Sequence, residues 1–130
     1  MKIAIAHILS SAFFILSCAS PKENECKQLR RGEFYYKASD SFGGSTIRRN
    51  DSIQLVKDNE TGKEQLEWIV WIEPCIYMLY PLPEKKDTTL FPVKVTVLEV
   101  AEKYYRAQVY SKEYKADFTD TVWIANNATP

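Results

Sequence analysis

Glu67 and Glu73 are the side chains most worth testing for chemistry. They interrupt the apolar run from Leu66 to Tyr80 (LEWIVWIEPCIYMLY), where burial would raise a carboxyl pKa toward general acid or base use. Two such carboxyls flanking a cleft are the equipment of a carboxylate-based hydrolase. Strand alternation sets Glu67 opposite Trp68 and turns it to solvent, and Pro74 puts Glu73 in a turn, so the spacing does not favour a catalytic pair. The only histidine, His7, lies in an N-terminal leader, which removes Ser-His-Asp and Cys-His catalysis, histidine-bearing zinc sites and an imidazole pH switch from the processed chain. Asp58-Asn59-Glu60-Thr61-Gly62 resembles half of a calcium loop but lacks the downstream ligands. No catalytic, cofactor-binding or metal-ligating set is expected, and the chain reads as non-enzymatic.

Residues 1–17 have the form of an export signal: Lys2, then an apolar stretch from Ile3 to Leu16 too short for a comfortable membrane span. Ile15-Leu16-Ser17-Cys18 resembles the lipobox of bacterial lipoproteins, which implies that Cys18 is lipidated and becomes the new N-terminus. Ordinary cleavage nearby, leaving Cys18 a free thiol, is the alternative. Residues 18–25 (CASPKENE) read as a flexible tether, and their acidic character resembles the export tag of some surface lipoproteins of Bacteroidetes. The implied location is the cell envelope, anchored to the outer membrane and facing the periplasm or the exterior.

Processing leaves roughly 110 residues, enough for one domain with a modest core. With 17 basic and 17 acidic residues in the whole chain, loss of Lys2 leaves a charge of about −1, against a nucleic-acid partner. The pairs Arg30-Arg31, Arg48-Arg49 and Lys85-Lys86 read as solvated surface. Cys26 and Cys75 remain once Cys18 is acylated. An even count in an exported chain favours a disulfide, closing a loop of about 50 residues for about 4 kcal/mol on the chain-entropy model. Two buried reduced thiols are the alternative; a reactive thiol would need a base or a Cys-x-x-Cys partner that is missing.

The elements that must position these groups are short strands. Gly32–Lys37 alternates Phe34 and Tyr36 against Tyr35. Thr46–Arg49 and Ser52–Lys57 flank Asn50-Asp51 as a hairpin, and SDSFGGS (39–45) and DNETGK (58–63) are turns. In the central run Leu66, Trp68, Val70 and Ile72 form one row and Glu67, Ile69 and Trp71 the other, both covered to some degree because a soluble monomer seldom leaves so much aromatic surface wet. Glu73-Pro74 breaks the ladder, and residues 81–92 form the longest loop. Val93–Val100 faces its valines inward, Tyr104–Ser111 returns with Tyr105, Ala107 and Val109 inward, Lys112–Asp120 suggests one helical turn, and Thr121–Ile124 closes the domain. The expected fold is all-β: a single small antiparallel up-and-down sheet or lipocalin-like barrel of about eight strands over residues 26–126, with a tail at 127–130.

Aromatic residues are numerous enough, with three tryptophans and eight tyrosines, that some tyrosines should be exposed. Tyr80, Tyr110 and Tyr114 are the candidates for a ligand or partner surface, because such rings build platforms for glycans or proteins; the alternative is that they line a barrel or cover its end. Asp51-Ser52-Ile53, Asp87-Thr88-Thr89 and Asp120-Thr121-Val122 resemble O-glycosylation sites of Bacteroidetes.

Cys26-Lys27-x-Leu29-x-x-Gly32-x-Phe34-x-Tyr36, Ile47-x-Arg49-x-Asp51-x-Ile53-Gln54, Val70-Trp71-x-x-x-Cys75-x-Tyr77-x-Leu79 and Val95-x-Val97-Leu98-Glu99-Val100 together resemble a family of small flavobacterial proteins. That resemblance implies a cysteine bridge between the first strand and the core, and carries no active site. A DNA topoisomerase label attached to some members does not suit a chain of this size without a nucleotide loop or basic face. Three functions follow as expectations: a monomeric envelope lipoprotein binding a protein, glycan or small ligand through exposed aromatics and the 81–92 loop; a lipocalin-like carrier of an apolar molecule; and a carboxylate hydrolase.

Overall fold

A computed structural model describes residues 20–83 and 90–125; residues 1–19, which include the expected leader and Cys18, the loop cluster 84–89 and residues 126–130 lie outside the described residues. Eight antiparallel strands close on themselves in chain order: β1 (Gly32–Tyr36), β2 (Ser45–Arg49), β3 (Ile53–Asp58), β4 (Glu64–Glu73), β5 (Ile76–Pro81), β6 (Val93–Val100), β7 (Tyr104–Ser111) and β8 (Ala116–Ile124). The up-and-down barrel anticipated from the strand count is the observed fold. Eight strands enclose just enough space for side chains to fill or for one small ligand to enter.

Inward residues come from every strand. Phe34, Ile47, Ile69, Tyr77, Val95, Val97, Tyr105, Ala107 and Val122 form the core, concentrated at one end of the barrel. That end is capped by a short helix, α1 (Glu23–Lys27), and a 3-10 turn (Gln28–Arg30) that presses Leu29 onto the core. α1 begins inside the stretch read as tether, because the Glu25 carboxylate accepts the Lys22 amide at 2.8 Å, Glu23 pairs with Lys27, and Cys26 is fixed immediately afterwards. Cys26 and Cys75 form a disulfide with Cα atoms 5.2 Å apart, joining the cap to the β4–β5 turn.

Several local expectations shift. The hairpin tip is Asp51-Ser52, one residue later than Asn50-Asp51. The Asn50 amide donates to the Ile53 carbonyl, and the Asn50 side chain accepts the amides of Ser52 and Ile53, which replaces the glycine such a tip otherwise prefers. Residues 116–120 are strand and not a helical turn, since β8 pairs with β7 along its whole length from Ser111↔Ala116 to Tyr104↔Trp123. At the opposite end from α1, Gly44 turns the chain into β2 at φ 84°, where an added Cβ would lie 2.8 Å from the Tyr36 carbonyl.

The largest correction concerns β4. Its outer row, Leu66, Trp68, Val70 and Ile72, is open to solvent, with Trp68 45% and Ile72 53% exposed. Glu67 belongs to the inner row with Ile69 and Trp71, so it points into the barrel rather than to solvent. The register explains it: Arg49 faces Gln54 and Gln54 faces Glu67, and all three turn inward, so one polar belt runs across β2, β3 and β4.

Because the Cys26–Cys75 bridge closes a 49-residue span, its removal enlarges the unfolded ensemble more than it disturbs contacts. The double variant Cys26→Ser/Cys75→Ser is expected to lose about 4 kcal/mol in urea unfolding; a loss under about 1 kcal/mol would show that the bridge does not hold the cap.

Candidate functional site

The interior polar belt starts at Arg49, a residue the sequence places on the surface with Arg48 and the structure buries to 6% exposure. β2 alternates Ser45, Ile47 and Arg49 inward against Thr46 and Arg48 outward, so strand parity with Ile47 is the signal that was available. Arg49 Nε donates to Gln54 Oε1 at 3.0 Å, Nη1 to the Leu29 carbonyl at 2.8 Å, and Nη2 to the Tyr105 hydroxyl at 3.0 Å, with the Tyr77 hydroxyl at 3.5 Å. Its guanidinium also stacks 4.4 Å from the Phe34 ring centre. Burial acts to lower the Arg49 pKa, and the phenol oxygens of Tyr105 and Tyr77 outweigh it, so the group stays charged. Gln54 passes the polarity on, donating from Nε2 to Glu67 Oε1 at 2.7 Å.

Beyond this belt the barrel is not filled. A cavity of about 240 Å³ is lined by Tyr36, Gln54, Glu67, Leu79, Val109 and Asp120, among others. Tyr36, Val56, Gln65, Phe118 and Asp120 also line an adjoining cleft of about 1000 Å³. The cleft exists because β1 and β8 meet over only two pairs, Phe34↔Ile124 and Tyr35↔Trp123, while β8 runs on to Ala116 without β1 beside it. Phe42 and Lys37 from the β1–β2 loop and Lys63 from the β3–β4 turn complete its rim, and Lys37 Nζ lies 3.5 Å over the Trp123 ring.

Burial pushes the Glu67 carboxyl up, against the lowering pull of the Gln54 hydrogen bond and the Arg49 charge. It pushes Asp120 up as well, with the Thr121 amide opposing. The Tyr36 phenol is raised by burial first, then by Tyr105 and the Asp120 carboxylate. The site therefore offers two carboxyls of raised pKa, neutral phenol and amide groups, and apolar walls, with a fixed cation behind them.

Among the residues singled out by sequence, Glu67 lines the cavity and Glu73 does not. Glu73 is exposed at the far end of β4, about 20 Å along the strand from Glu67, so the two do not converge. Tyr80, Tyr110 and Tyr114 are exposed as expected, yet none lines the cavity. They stand on three neighbouring elements: Tyr80 pairs with Trp68, Tyr110 pairs with Lys94 on β6, and Tyr114 sits in the β7–β8 turn with its hydroxyl accepting the Phe91 amide. The Asp58 carboxylate caps its own turn by accepting the amides of Glu60 and Thr61. Comparison with protein-family models, curated proteins and solved structures gives no match to this chain.

Glu67 supplies a pH test. Below its ordinary value of 4.5 both folded and unfolded chains hold the proton; as pH rises, the unfolded chain ionises first, so stability falls until pH passes the raised folded value. Glu67→Gln keeps an acceptor for Gln54 and removes this loss. Its unfolding midpoint is expected above that of the parent at pH 7, with the gap closing below about pH 4.5. A less stable variant at pH 7 would mean that the ionised carboxylate contributes to the belt.

Proposed function

We propose that the barrel is a non-enzymatic binding protein of the cell envelope, held to the membrane by a lipid on Cys18, that takes one small elongated ligand through the β1–β8 cleft. The observation that carries this is the inner cavity of about 240 Å³ adjoining a cleft of about 1000 Å³, the cleft alone reaching the upper end of the volume range of small-molecule sites. Phe118, Val56 and Tyr36 would contact an apolar or aromatic body, while Gln65, Glu67 and Asp120 would accept or donate hydrogen bonds at its polar end. This favours the carrier expectation over a platform of exposed tyrosines, because the three tyrosines line neither the cavity nor the cleft.

Titration with a neutral fluorescent amphiphile, N-phenyl-1-naphthylamine, separates the two. One probe per chain is expected, and Val56→Phe, which narrows the junction of cleft and cavity, should weaken binding about tenfold, as loss of about 1.4 kcal/mol does. Tyr114→Ala should leave binding unchanged. Binding that ignores Val56→Phe and disappears with Tyr80→Ala, Tyr110→Ala or Tyr114→Ala would replace the cavity with the tyrosine surface.

A further inference from the structure

The outer wall of β4 and β5 carries an apolar strip that the cavity does not explain. Leu66, Trp68, Val70 and Ile72 follow one another at alternate positions over about 20 Å, and Tyr80 and Met78 stand beside Trp68 and Val70 on the neighbouring strand. Trp68, Val70, Ile72 and Tyr80 are all exposed, a contiguous row of a kind that marks an interaction surface on a soluble domain.

The position of the chain's N-terminal segment says what would cover it. The Pro21 carbonyl lies 3.9 Å from the Cys75 sulfur, in the turn that directly follows Ile72 and Glu73. Cys18 is three residues before Pro21, a reach of at most about 10 Å. A lipid on Cys18 would therefore hold the end of β4 against the membrane surface. The other surfaces near that point are charged: α1 shows Glu23, Glu25 and Lys27, and Asp51 on the β2–β3 tip makes an exposed ion pair with Arg31 before β1. The apolar strip starts at the anchored end and runs toward the end where the cleft opens. Trp68 and Tyr80 are paired across it, the two residue types that settle at the boundary between lipid headgroups and acyl chains. Lys94, opposite Met78, flanks the strip with positive charge suited to anionic headgroups.

We infer that the barrel lies on its β4–β5 wall against the phospholipid surface that carries its own lipid anchor, with Trp68 and Tyr80 at the headgroup boundary. The inference rests on the proposed lipidation of Cys18, and because β4 and β5 stand opposite the β8–β1 seam in the closed barrel, it turns the cleft away from the membrane.

The mature lipoprotein, extracted from its own membranes and reconstituted into phosphatidylcholine and phosphatidylglycerol vesicles with brominated acyl chains, tests it. Flotation with the vesicles reports the anchor, and bromine quenching of tryptophan fluorescence reports the wall. Flotation together with at least twofold quenching of a component that Trp68→Phe removes is expected, and Val70→Lys/Ile72→Lys should abolish the quenching while flotation persists. Flotation without Trp68 quenching overturns the docking face and leaves the anchor standing. Absence of flotation overturns the anchor and the inference together. If Trp68 is shielded equally without lipid and the particle has twice the chain mass, a second copy covers the wall and the inference fails.

Discussion

Arg49 carries a positive charge into the closed end of the barrel, and a charge taken out of water must be met by oriented polar atoms. It is met from four places: Gln54 on β3, the Leu29 carbonyl in the cap, and the hydroxyls of Tyr105 on β7 and Tyr77 on β5. Each partner belongs to a different element, so satisfying one guanidinium fixes the cap and three strands relative to β2. The two hydroxyls lie 3.0 Å apart, which completes the set. Such a cluster specifies a unique arrangement because a partly satisfied version is worse than an apolar one.

Closure at one end permits openness at the other. The disulfide holds α1 over the Arg49 end, and the core residues gather there, while β1 stops at Tyr36 and leaves β8 paired only with β7. The cavity is thus a product of unequal strand lengths at one seam. Glu67 links the two halves: it receives the last hydrogen bond of the polar belt and stands in the cavity wall, where burial raises its pKa.

Much of this was legible in the residues. Alternation in Val93–Val100 and Tyr104–Ser111 assigned Val95, Val97, Tyr105 and Ala107 to the interior, and an even cysteine count paired Cys26 with Cys75. Alternation turns Glu67 to solvent where the structure turns it inward, because both rows of β4 are rich in apolar residues and hydrophobicity alone cannot orient such a strand. Only its neighbours decide, through Gln54, whose own inward direction follows from Arg49. The sequence gives no sign that Asp120 and Phe118 line a cavity, because β8 begins earlier than its apolar ending suggests. The short β1–β8 pairing, which creates the cleft, depends on how the two ends of the chain meet and has no local signature.

A crystal structure of the protein isolated from its own membranes without delipidation tests the central claim most directly. The account predicts elongated density entering between Tyr36 and Phe118 and ending against Gln54 and Glu67, with Arg49 still bound to Leu29 and Tyr105. An interior collapsed onto its own side chains, with β1 and β8 zipped along their full lengths, would contradict it.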